Sequence, residues 1–364
     1  MDQAMRLIDN RPDWTDRPPI DIPRDPSEKF LKDLCIVIDP GHGGEDGGAN
    51  STKPAGYKAG PAGEREAYMN LRVALLLERL LKDAGVQVIM TRHGDDTIDL
   101  AERAQVANNA IRKRDGGKGA DLFVSIHHNA GGGPTANYPS VWYHGGVDDN
   151  EPDLDIARAL ALELGRAMRT QVAKTAPIFS SQLMYNGGFG VLRDCEVPAV
   201  LCECSFYTDP AEEQRLRDAG YNLREAHAIY LGLCRWAYCG RPTQSLPVVE
   251  SESGTIVTTF DEGLPNWWGA DRNRILASSV SATLNGKPAA VTFEPLTRKL
   301  TIHAPAGGFD HESVLTIHHA NMLGNHNWPQ RYSLGASAGL GWSVSPLGPV
   351  RPSHQPATRA VPQR

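Results

Sequence analysis

The chain has 364 residues, a formal net charge of −6, 40% hydrophobic and 22% charged residues. That length exceeds one ordinary domain, and the mild acidity leaves no basic footprint, which excludes nucleic acid as a partner. Six scattered cysteines form neither a disulfide framework nor a paired C-x-x-C zinc signature and leave the redox compartment open.

Residues 1–30 are rich in Pro and Asp and read as an N-terminal arm. The opening MDQAMRLIDNRPDWTDRPP lacks a basic start followed by a long apolar run, so neither a secretory signal nor an integral membrane segment is expected. LCIVIDP (34–40), VQVIMTR (86–92), DLFVSIH (121–127) and PAVLCEC (198–204) are short apolar runs that read as buried strands. Helical patterns lie between and after them. In EAYMNLRVALLLERLLKDAG, Met69, Val73, Leu76, Leu77, Leu80 and Ala84 recur at steps of three and four, and Gly85 stops the helix. LAERAQVANNAIRK, LDIARALALELGRAMRTQVA and LREAHAIYLGLCRWAYCG behave likewise. The alternation predicts an α/β domain over 31–240, with a doubly wound, mainly parallel sheet flanked by helices.

After RPTQSLPVVESES the helical period disappears, and GTIVTTF, VSATLN, AAVTFEP and KLTIHAP follow one another across turn residues. Asn285-Gly286 is a hairpin signal because both positions tolerate positive φ. A small all-β sandwich over 250–335 is expected, followed by a disordered tail over 343–364.

The chemistry gathers at strand ends. DPGHGGEDGG (39–48) sets His42 on a glycine-rich turn directly after a buried strand, SIHHNA (125–130) closes another strand at His127, and Glu203 lies inside the fourth. The carboxyl ends of parallel strands converge on one crevice. Two histidines, a glutamate and a water make a catalytic zinc site with an open position; Glu64 and Glu66, at the start of the first long helix, both qualify as the glutamate. A further carboxylate would carry the proton from water to the leaving nitrogen. Glu203 stands out because a carboxylate in an apolar run is rarely buried without a partner; the bland alternative is a pair with Arg193. His93, His144, His303, His318 and His319 read as ordinary polar residues, and His128 points away from His127 if the strand continues. Cys202 and Cys204 alternate with Glu203 and read as small buried hydrophobes rather than metal ligands. The glycines around residues 47–63 match no nucleotide-binding fingerprint.

Taken in order, IVIDPGHGGEDGGA, EAYMNL, VIMTRHGDDTIDLAERAQVAN, DLFVSIHHNA and VLRDCEVPAVLCECSFYTDPAEE resemble the zinc-dependent N-acetylmuramoyl-L-alanine amidases of the amidase-3 family, over residues 34–236. The resemblance implies that His42, Glu66 and His127 hold one zinc ion and that Glu203 is the catalytic acid/base. Glu66 is preferred to Glu64 because the family's metal-binding glutamate lies five positions before the helix leucine that Leu71 matches. The resemblance also implies peptidoglycan as substrate, an extracytoplasmic place of work, and substrate contacts from Asn129 and Arg193. Two departures stand out: His128 replaces a small residue, and cysteines flank Glu203. Some members carry an inhibitory helical insertion after the second histidine motif. Here only about ten residues separate SIHHNA from VWYHGG, too few for a helix with connections, so an open site is expected. The segment VSATLNGKPAAVTFEPLTRKLTIHAP is similar to bacterial immunoglobulin-like modules, a likeness that leaves open contact with cell-wall polymer or simple spacing of the enzyme; Trp267-Trp268 reads as packing rather than a sugar platform.

Overall fold

The four apolar runs become strands of one six-stranded sheet in the computed structural model, which describes residues 24–44, 58–131, 136–146, 150–172, 174–250, 254–265, 273–305, 309, 312–337 and 341–347. The strands are β1 (Cys35–Pro40), β2 (Gln87–Met90), β3 (Leu122–Asn129), β4 (Ser140–Tyr143), β5 (Ile178–Ser180) and β6 (Ala199–Phe206), in the spatial order β2-β1-β3-β6-β4-β5. All neighbours are parallel except β4, which runs antiparallel to β6. β4 and β5 are absent from the sequence-based expectation. At four and three residues they are too short to show a strand period.

The helices are α1 (Glu66–Asp83), α2 (Leu100–Asn108), α3 (Glu151–Ala167), α4 (Gly190–Arg193), α5 (Pro210–Leu216) and α6 (Ala219–Tyr238). Alternation along the strands divides their side chains between two cores. Ile36, Ile38, Val124, Ile126, Cys202 and Cys204 pack with α1, α3 and α6. Val37, Phe123 and Leu201 point the other way, toward Ala104 and Ala107 of α2 and Leu192 of α4. With both faces covered, the strands read as continuous apolar runs. The end of the expected arm lies on α6: Pro26–Phe30 form a 3-10 turn, and Phe30 packs edge-on to Tyr238 at 5.4 Å.

The C-terminal region holds β7 (Thr243–Gln244), β8 (Val248–Glu250), β9 (Thr255–Asp261), β10 (Ser281–Leu284), β11 (Lys287–Pro288), β12 (Val291–Glu294), β13 (Lys299–His303), β14 (Glu312–His318), β15 (Arg331–Ser337) and β16 (Gly341–Leu347). They form two sheets, β11-β10-β14-β15-β16 and β12-β13-β9-β7, with β8 also on β9. Ile256, Phe260, Leu300 and Ile302 of one sheet share a core with Ala282, Leu315, Ile317, Tyr332 and Leu334 of the other. Asn285 and Gly286 turn β10 into β11 with φ of 51° and 75°, as the hairpin signal predicts. One expectation needs correction. β16 occupies the start of the segment read as a disordered tail, because Trp342 and Val344 alternate with exposed Ser343 and Ser345 and pack against the strand-rich core. Positions 348–364, like Trp267-Trp268 and residues 1–23, lie outside the described residues.

The strand-rich region is fastened to the α/β layer at helix ends. Asn325 Nδ2 donates to Trp236 O at 3.0 Å and Gly240 O at 2.6 Å, and Asn321 Nδ2 donates to Cys239 O at 2.7 Å, satisfying carbonyls that end α6. His326 reaches the first turns of α3: its backbone N–H donates to Asp155 Oδ2 at 2.6 Å, and its ring Nδ1 lies 3.1 Å from the same carboxylate. That hydrogen bond raises the His326 pKa above its ordinary value. A raised folded-state value stabilises the fold fully below the unfolded pKa of about 6.5 and is lost as pH rises through the folded value. The melting temperature should therefore fall between about pH 6 and about pH 8.5 more in the native chain than in His326→Gln. Equal losses in thermal melts of the two proteins would refute the linkage.

Candidate active site

β1 delivers the chain to a turn that two buried arginines hold rigid. Arg103 Nη1 donates to Asp39 Oδ1 at 2.7 Å and to Pro40 O at 2.8 Å, and its Nη2 donates to His42 O at 2.8 Å. Arg92 donates to the carbonyls of Pro40, Gly41 and Ala67, each at 2.8 Å. Asp39 is fully buried and also accepts from Thr91 and Ser125 at 2.7 Å. Burial alone would raise its pKa; the Arg103 charge and these hydrogen bonds outweigh that and hold it below the usual range. His42 sits at φ 59°, a left-handed conformation costly for a residue with a Cβ, and the Arg103 bond to its carbonyl helps hold it there. Gly41 is needed for close approach: a Cβ there would lie 2.2 Å from ring atoms of His127.

Glu66 opens α1, its backbone N–H donating to Lys58 O at 2.8 Å. Its side chain is buried, with Oε1 3.0 Å from His127 Nδ1 and Oε2 3.3 Å from His42 Nε2. The two imidazoles meet edge to face with centroids 4.8 Å apart. His42, Glu66 and His127 each present a donor atom within 4.8 Å of the others, a group that could hold a metal ion. Glu64 turns away: it is buried against Arg72 at 2.6 Å. Of the two glutamates left open by spacing, only Glu66 meets the histidines. Burial pushes the His127 pKa down to about 4. Burial would raise Glu66, but the His42 charge, the His127 contact and Lys58 hold it well below the carboxylate range.

Glu203 pairs in register with His127 on the neighbouring strand and shares its face of the sheet. It is partly exposed and makes no hydrogen bond or ion pair among the described residues. The bland alternative does not occur, since Arg193 donates to Asp194 at 2.9 Å. Burial, reinforced by the Glu66 charge and opposed by Lys58 and His42, pushes the Glu203 pKa up to about 8. Cys202 and Cys204 lie buried on the opposite, helix-covered face, and none of the six cysteines is joined in a disulfide among the described residues. Asn129 ends β3 beyond a register irregularity, its carbonyl accepting from Tyr207 N at 3.0 Å. Among the described contacts, neither Asn129 nor Arg193 touches His42, Glu66 or His127. Of the other histidines, His93 meets Glu78 at 3.0 Å, His303 meets Thr292 at 3.0 Å, and His319 stacks on Phe260 at 3.8 Å.

Four residues near the centre escape the sequence reading. Lys58 Nζ lies 3.3 Å from His42 Nε2 and 3.8 Å from Glu66 Oε2. Asn70, one helical turn after Glu66, donates to Gly41 O at 3.1 Å. Arg92 and Arg103 hold the His42 turn. Arg103 has a legible signal: it shares the buried face of α2 with Ala104 and Ala107, where a charged residue requires a partner. Lys58 follows a segment outside the described residues and has no such pattern.

These features define a class: an α/β protein with two histidines and a buried glutamate meeting at the carboxyl ends of its strands beside a second, raised carboxyl. The N-acetylmuramoyl-L-alanine amidase family model, Amidase_3, matches residues 36–235, and the chain belongs to that family. It is 30% identical over 220 residues to the Probable cell wall amidase LytH of Staphylococcus saprophyticus, covering 60% of this chain and 64% of that protein. It is also 30% identical over 202 residues to the N-acetylmuramoyl-L-alanine amidase CwlM of Bacillus licheniformis, covering 55% and 67%. A solved N-acetylmuramoyl-L-alanine amidase of Clostridium difficile 630 shows 30% identity over 56% of this chain and 96% of that one, with a TM-score of 0.45. The chain spans 64% and 62% of the length of staphylococcal relatives that it matches.

Proposed function

We propose that this chain hydrolyses the amide joining N-acetylmuramic acid to L-alanine in peptidoglycan, with one zinc ion held by His42, Glu66 and His127 and with Glu203 as acid/base. The observation that carries the reading is the convergence of those three donors beside a carboxyl with no hydrogen-bond partner among the described residues. The donor set suits a cation. Glu66 Oε2 is buried without a well-formed hydrogen bond, and the Lys58 ammonium already leans against it and His42. Two nitrogens and one carboxylate oxygen are the ligand chemistry of a hydrolytic zinc site.

When bound, zinc supplies Lewis acidity toward the scissile carbonyl and toward water. The remaining work falls to the chain. Glu203 takes a proton from the attacking water and returns it to the L-alanine nitrogen as that nitrogen leaves. Glu203, raised to about 8 by burial, would come nearer neutrality with a cation on the neighbouring ligands, where a group that must both accept and donate works best. Asn129 and Arg193 are assigned to orienting the stem peptide. The strand-rich C-terminal region is an immunoglobulin-like module in contact with wall polymer, and the enzyme works outside the cytoplasmic membrane. Among the described residues no helix intervenes between β3 and β4, which favours an open site.

The test is mass spectrometry of purified peptidoglycan after incubation with zinc-loaded protein and with a chelated control. Free stem peptides beginning at L-alanine, formed only with metal, are the expected products. Intact muropeptides with zinc demonstrably bound would reject the assignment in favour of another amide substrate or a non-catalytic wall-binding role.

A further inference from the structure

His128 follows the ligand candidate His127 directly, and strand alternation sends its ring to the opposite, helix-covered face of the sheet. There it is 1% exposed, between α1 and α6. Burying an imidazole is costly unless its nitrogens are partnered, and here both are. Nδ1 lies 2.8 Å from Asn70 Oδ1 and Nε2 lies 2.9 Å from Glu225 Oε1, so the ring meets an oxygen at each nitrogen. The other Glu225 oxygen accepts from Asn222 Nδ2 at 3.1 Å, and Asn222 Oδ1 accepts from Arg72 Nε at 3.0 Å. At the near end Asn70 Nδ2 donates to Gly41 O at 3.1 Å and points at Glu66 Oε1 from 3.5 Å. A continuous line of buried polar contacts thus runs from Arg72 to the turn bearing His42 and to the Glu66 carboxylate.

The decisive member is the Asn70 amide, because its two ends are nearly the same shape and opposite in polarity. A donor at His128 Nδ1 requires Oδ1 on that side and so directs the NH2 group toward Gly41 O and Glu66. The reverse orientation would set oxygen against a carbonyl and a carboxylate. The backbone N–H of His128 also approaches Glu66 Oε1 at 3.3 Å. We propose that His128, locked by Glu225, is a positioning residue that fixes the Asn70 amide and through it the Glu66 carboxylate and the His42 turn; this rests on the zinc reading above. Groups that orient metal ligands from behind typically influence affinity by about 10–100-fold. His128, Cys204 and Glu225 also present donor atoms within 4.8 Å of one another, so a metal count must accompany the test. Filled hydrogen bonding at both His128 nitrogens and both Glu225 oxygens favours the positioning role.

The experiment is a chelator-competition titration of zinc on the full chain, comparing wild type, Glu225→Gln, His128→Ala and the double variant His128→Ala/Glu225→Ala, with thermal melts of each. Wild type should bind one zinc ion, and Glu225→Gln, which keeps the shape and hydrogen-bonding reach of the lock, should stay within about threefold of it. The double variant removes both buried partners and so stays folded where the single truncation fails. It should still lose zinc affinity by about 10–100-fold, because Asn70 is no longer held. Recovery of wild-type affinity in the double variant would reduce His128 to a packing role and overturn the proposal. So would a second zinc ion in wild type that disappears with His128. Wild type that binds no zinc at all would instead reject the metal reading itself, and this role with it.

Discussion

Glu203→Gln should leave zinc bound with its native affinity while lowering turnover of peptidoglycan by about 10²–10⁴-fold, the usual contribution of a positioned acid/base. The substitution keeps the shape of the side chain but removes its capacity to accept and return a proton. Because Glu203 makes no hydrogen bond among the described residues, the amide breaks no described contact. Its pKa is raised to about 8 chiefly by burial, so replacing it with a neutral group also removes a desolvation penalty. The melting temperature should therefore hold or rise. Muropeptide release followed alongside metal content separates the outcomes, and activity within threefold of wild type at full zinc loading would exclude Glu203 from the chemistry.

Arg103→Ala carries the second large expectation. Arg103 is 1% exposed and holds Asp39 together with the carbonyls of Pro40, Ile98 and His42. Truncation leaves a fully buried carboxylate with only Thr91 and Ser125 as donors, and breaking a buried pair from one side costs about 3–5 kcal/mol. Denaturant unfolding should register that loss. Asp39 has a depressed folded-state pKa, so the stability it contributes is present above the unfolded value of about 3.9 and disappears as pH falls through the folded one. The variant should accordingly lose part of the native chain's acid sensitivity. Arg103→Lys should recover only part of the loss, since an ammonium cannot match the planar fork. A stability change below about 1 kcal/mol in Arg103→Ala would refute this account of the turn.

What the sequence discloses depends on how local the signal is. The long strands β1, β3 and β6 and helices α1 and α6 are legible because each buries a whole face, and burial writes a period into the chain. β4 and β5 are too short for a period, and β4 contributes the one antiparallel pairing in its sheet. β16 is hidden for a different reason: its alternation runs through serines rather than strongly polar residues and reads as tail composition. At the site, His42, His127 and Glu203 are visible from their places at strand ends. Spacing alone leaves Glu64 and Glu66 equivalent, and the choice is made by Arg72, which draws Glu64 into a buried pair at 2.6 Å. Lys58, Asn70 and Arg92 act through contacts between elements far apart in sequence, which leave no periodic trace, whereas Arg103 betrays itself as a charge on the buried face of α2.

α6 also sets a reach. Near its start Glu225 stands behind the crevice, against His128, while its last carbonyls, from Trp236 to Gly240, are gripped by Asn321 and Asn325 of the strand-rich region. At 1.5 Å per residue, the helix between those grips is about 20 Å long. On the proposed function, a polymer held by the strand-rich region would be held a fixed interval from the candidate active site, as a workpiece is held in a vise away from the blade. Gripping and cutting would then fall on separate stretches of the meshwork, with the helix as the spacer between them.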